Sequence, residues 1–86
     1  MSKLVIELKG NPKLVDIVAN AFPLGEGVNK DGLKFNSVLS SGVYNCVFEG
    51  STEVIEKEYK KMRCAWFGKR TLLRMQGVFI DFRKEP

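Results

Sequence analysis

The 86-residue chain contains no histidine. That absence removes the commonest general base and metal ligand, so Ser-His and Cys-His nucleophile pairs and histidine-based zinc sites are excluded. Carboxylates occur singly along the chain, leaving no acidic cluster for a metal and no acid-base pair. Ser40, Ser41, Cys46 and Cys64 therefore have no recognisable activating base, and a non-enzymatic protein without cofactor or metal is expected. Gly25-Glu26-Gly27 looks like half of a phosphate loop. No Gly-Lys-Ser follows it, however, and Glu26 opposes an anion, so a flexible connection is the better reading.

Cysteine is scarce as well. Cys46 lies among apolar neighbours between Tyr44 and Phe48, and Cys64 between Met62 and Phe67, so both are expected to be buried, reduced thiols rather than a disulfide. No apolar run approaches the roughly 20 residues that cross a bilayer. Lys3, Glu7 and Lys9 interrupt the N-terminal segment, so no secretory signal region is seen and a cytoplasmic protein is expected.

What is present is a sequence able to fold as one small domain, residues 1–86. Hydrophobic residues make up 44% and charged residues 28%, which separates the chain from disordered sequences. At this length only about 60 to 65% of the unfolded surface is buried, so a large enclosed active site is hard to house.

Leu4, Ile6 and Leu8 alternate with Val5, Glu7 and Lys9, predicting a strand over 3–9. After Gly10, Asn11-Pro12 is an N-cap followed by proline at the first helical position, and Leu14, Ile17, Val18, Ala21 and Phe22 predict a helix over 12–22. Residues 23–32, with three glycines, read as the longest loop. Strands are expected at 33–39 and 43–49, joined by a turn at Ser40-Ser41-Gly42.

Ser51 can cap a second helix over 51–67 with Gly68 beyond its end; Val54, Ile55, Tyr59, Met62, Ala65 and Trp66 form its apolar side. Residues 70–75 and 78–83 then bracket Gln76-Gly77 as a hairpin. A competing reading continues the helix through 71–76, because Leu72, Leu73 and Met75 are good helix formers. The expected order is β-α-β-β-α-β-β. The economical packing is a two-layer α+β fold, an antiparallel-rich sheet with two helices on one face.

The charge is placed unevenly. Residues 1–56 sum to minus two and residues 75–86 to zero, while residues 57–74 alone sum to plus six. Lys57, Lys60, Lys61, Arg63, Lys69, Arg70 and Arg74 supply that excess, interleaved with Tyr59, Trp66 and Phe67. Cations displace counterions from phosphates and exposed rings stack on unpaired bases, so this pattern points to RNA or another nucleic acid as partner. Phe67 is the ring expected to be exposed, whereas Tyr59 and Trp66 share the apolar side and belong to the core.

The pattern also has an ordinary explanation. Glu53 precedes Lys57 by four residues and Glu56 precedes Lys60 by four, the spacing of surface ion pairs along a helix. A second expectation is a protein-protein inhibitor or adaptor, in the style of a small phage-type accessory protein, docking on an acidic partner surface. A homodimer would ease the shortage of core at this length.

Overall fold

A computed structural model describes all residues from Met1 to Pro86. The elements are β1 (Ser2–Gly10), α1 (Pro12–Ala19), β2 (Glu26–Val28), β3 (Lys34–Ser40), β4 (Val43–Gly50), α2 (Thr52–Met75) and β5 (Val78–Glu85). The five strands form one sheet in the order β2-β3-β4-β1-β5, and every neighbouring pair is antiparallel. This is the expected α+β architecture.

Pairing register decides which face holds the core. Leu4, Ile6 and Leu8 of β1 stand opposite Phe48, Cys46 and Tyr44 of β4, while Ile6 and Leu8 stand opposite Phe82 and Ile80 of β5. Directly opposed residues share a face, so all of these side chains point to the same side, where they are buried with Val15 and Ala19 of α1 and Ile55 of α2. Both helices therefore pack on one face of the sheet. The opposite face has no layer over it and carries charge pairs, Lys3 with Glu49 at 3.6 Å and Arg83 with Glu7 at 3.4 Å.

Helix α1 begins as its sequence suggests. Asn11 Oδ1 accepts from the backbone N–H groups of Lys13 and Leu14, and Pro12 occupies the first turn. The helix stops at Ala19, three residues sooner than expected. Ile17, counted on its apolar stripe, faces out, and Val15 and Ala19 take the buried positions. Phe22 leaves the helix but stays in the core, stacked between Tyr44 and Trp66. The Tyr44 hydroxyl donates to the Pro23 carbonyl, tying the segment after α1 to the sheet.

Two expectations are corrected. The loop over 23–32 contains the short strand β2, paired with β3 through Glu26 to Asn36 and Val28 to Lys34. Three residues with a glycine in the middle are too few to show a period of two. The second correction concerns residues 70–75, which are not a strand. Helix α2 passes through Gly68 and runs for 24 residues to Met75, so the observed order is β-α-β-β-β-α-β. One glycine costs a helix about 1 kcal/mol against alanine. Leu73, seven residues beyond Trp66, returns to the same side and packs on the core. That contact and the good helix formers Leu72, Leu73 and Met75 outweigh the glycine.

Gln76-Gly77 turns the chain from α2 into β5, and Gly77 takes φ +88°. Its carbonyl accepts from the N–H of Asn11, and a Cβ on Gly10 would run into the same carbonyl oxygen. This turn therefore closes against the β1-α1 junction, which places β5 beside β1 at the sheet edge.

Candidate nucleic-acid interface

Helix α2 starts at Ser51, whose hydroxyl accepts from the Val54 N–H, with Glu53 in the first turn where a negative charge suits the helix dipole. Ile55, Tyr59, Met62, Trp66 and Leu73 form its core-facing line. A helix turns about 100° per residue, so the residues one place later, Lys60, Phe67 and Arg74 among them, lie on the adjoining flank. With Arg63 and Arg70 they form a line spaced by three, four, three and four residues. The flank faces β5, since one recess between the two elements is lined by Phe67, Arg70, Arg74, Val78, Phe79 and Ile80, and a second by Tyr59, Lys60, Arg63, Phe67, Arg70 and Lys84.

The recesses measure about 310 and 730 Å³ and share Phe67 and Arg70. They thus form a single groove. From Lys60 to Arg74 it runs about 21 Å at 1.5 Å per helical residue. One wall is the cationic flank of α2. The other is β5, which pairs only with β1 and so leaves its outer backbone N–H and C=O groups free of the sheet. Phe67 stands at the middle with 79% of its surface exposed.

The groove is strongly cationic because its charges are unneutralised. No carboxylate lies within ion-pairing distance of any of the seven basic residues of α2. The expected pairs Glu53–Lys57 and Glu56–Lys60 do not form. Glu56 is instead held by Lys84 of β5 at 2.8 Å. Arg63 and Lys84 both approach the half-buried Tyr59 ring, at 5.5 and 4.9 Å from its centroid.

The residues singled out in sequence do not all gather here. Lys60, Arg63, Phe67, Arg70 and Arg74 line the groove, whereas Lys57 and Lys61 are exposed outside it. Lys69 sits over the Trp66 ring at 5.1 Å. Trp66 is half-buried, with Phe22 stacked on it, and acts as a packing residue. Cys64 corrects the expectation of burial. It is a free, exposed thiol in the groove, because its helical position lies away from the line of Met62 and Trp66. Cys46 is buried as expected, and burial pushes its thiol pKa up.

Lys84 and the free edge of β5 were not legible as site elements, since no sequence signal shows which strand ends a sheet. A further trough of about 650 Å³ lies on the uncovered face of the sheet. Its two lysines, Lys3 and Lys34, are balanced by Glu26 and Glu49, so it offers no excess charge to a polyanion.

No helix is long and apolar enough to cross a membrane. No protein-family model, curated protein or solved structure matches this chain.

Proposed function

We propose that this protein is a non-enzymatic module that binds RNA, or an RNA-containing complex, in the groove between α2 and β5. The observation that carries the reading is the line of Lys60, Arg63, Arg70 and Arg74 around an exposed Phe67, with no carboxylate neutralising any of the four. Outside α2, Lys3, Lys9, Arg83 and Lys84 each have an acidic partner, and the unpaired Lys13, Lys30 and Lys34 are spread singly along the chain rather than gathered in a line. Concentrated, unpaired cations are the arrangement that releases counterions from a phosphate backbone. Lys57, Lys61 and Lys69 add to the long-range field without lining the groove.

The test is the ultraviolet absorbance ratio of the purified protein before and after a high-salt wash, alongside the R63E/R70E/R74E variant. Nucleic acid co-purifying with the parent protein and absent from the variant is the expected outcome. Equal ratios for the two proteins would remove the reading.

A second reading, an inhibitor or adaptor docking on an acidic protein surface, is favoured by one specific observation. Leu72, Met75 and Phe79 are 63%, 80% and 55% exposed around the end of α2 and the start of β5. Exposed apolar surface rimmed by cations suits a protein partner. Partner capture that survives nuclease treatment selects this reading, and loss of the partner after nuclease selects the first.

A further inference from the structure

Gly68 is an anomaly on α2. It lies inside the helix, 16 residues after its start, in a right-handed conformation that any residue adopts, and nothing lies within 4 Å of where a Cβ would be. Helix propensity there favours almost every other residue, alanine by about 1 kcal/mol. No turn, close backbone contact or positive φ within the folded chain requires the glycine. Its neighbours indicate what the open space serves. Gly68 borders the recess that holds Phe67, Arg70, Thr71 and Arg74 and ends on Val78–Ile80 of β5. Position 68 therefore adds no side chain to the recess beside the exposed Phe67 ring.

Resting on the RNA-binding reading of the same groove, we propose that its occupant is an unpaired RNA strand, with one base stacked on Phe67 in the slot that Gly68 leaves open. The phosphates on either side meet Lys60 and Arg63 towards one end and Arg70 and Arg74 towards the other, which suits a backbone running along α2. The free edge of β5 offers N–H and C=O groups to the rim of the stacked base. A duplex cannot use this slot. Its bases are already stacked on one another, and an A-form helix presents its phosphates and 2′-hydroxyls but no ring face. An aromatic ring between two pairs of cations is the pattern of single-strand recognition, where stacking contributes without regard to sequence.

The experiment measures fluorescence anisotropy with a labelled ten-nucleotide oligouridine and a labelled 16-base-pair RNA duplex, for the parent protein and for F67A, G68L and R70E. The proposal predicts that the oligouridine binds at least about tenfold more tightly than the duplex. F67A and G68L weaken the oligouridine by roughly tenfold to a hundredfold, the range of one lost base stack, and leave the duplex unchanged. G68L retains or raises the melting temperature, so its loss of binding is not a loss of fold, and F67A tests the same slot should G68L fold poorly. R70E weakens both ligands. Equal affinity for strand and duplex, or full oligouridine affinity in both F67A and G68L, overturns the single-strand slot while the effect of R70E leaves the RNA reading standing. Absence of binding to either RNA by the parent protein overturns both.

Discussion

Phe22 lies flat against Trp66, with ring centroids 5.1 Å apart and planes inclined by 22°. Phe22 belongs to the segment after α1 and Trp66 to the middle of α2, so this stack joins the two helices over the sheet. Together with the packing of Ile55, Tyr59, Met62 and Leu73 it sets the rotation of α2 that turns the line from Lys60 to Arg74 towards β5. Replacing Trp66 with alanine removes the aromatic contact between α2 and the segment after α1. A loss of about 2 to 3 kcal/mol is expected in urea unfolding, below the range for a fully buried tryptophan because the residue is only partly buried.

Gly68 gives a prediction of opposite sign. G68A introduces a better helix former where nothing obstructs its Cβ. The variant should gain about 0.5 to 1 kcal/mol, read as a higher melting temperature with unchanged circular dichroism.

Gly10 behaves otherwise. Its φ is +142°, and a Cβ there would collide with the Gly77 carbonyl oxygen, which itself accepts from the Asn11 N–H. G10A must displace the turn that leads from α2 into β5. A loss above about 2 kcal/mol is expected in denaturant titration, as strained-backbone substitutions give.

Tyr44 and Cys46 set the alkaline limit. Burial pushes the Tyr44 phenol far above its ordinary value of 10.0 and raises the Cys46 thiol above 9.0. Both groups are neutral when protonated, so the folded state holds protons that the unfolded chain releases. Their contribution is fully present below about pH 9 and is lost as pH rises through the ordinary values, where the unfolded state binds fewer protons. Unfolding free energies measured from pH 8 to 10.5 should fall, and the fall should be shallower in Y44F. That variant should also be less stable at pH 8 by about 1 kcal/mol, having lost the hydrogen bond to Pro23.

These residues also show what the sequence made legible. The alternation of Leu4, Ile6 and Leu8 and the Asn11-Pro12 cap each correspond to the element they suggest, because both signals arise from nearest-neighbour backbone chemistry. Gly68 misled for the same reason. Read locally it ends a helix, but the outcome depends on Leu73 reaching a core that only the folded sheet creates. The charge excess over 57–74 was visible as arithmetic, and the exposure of Phe67 followed from helical spacing. Which cations would share a groove was not visible, because that needs the helix to continue to Met75 and β5 to occupy the sheet edge. Glu56 illustrates the limit. Spacing pairs it with Lys60, whereas the fold brings Lys84 to it from 28 residues away.

The most direct measurement of the central claim is the salt dependence of binding to a single-stranded RNA, for the parent protein and for R63E/R70E/R74E. Each phosphate contact on a single strand contributes about −0.7 to the slope of log K against log salt, so contacts from Lys60, Arg63, Arg70 and Arg74 predict a slope near −2.8. The variant should bind too weakly for a slope to be measured at low salt. A parent slope near zero, or a variant that keeps both the affinity and the slope of the parent, would contradict the account.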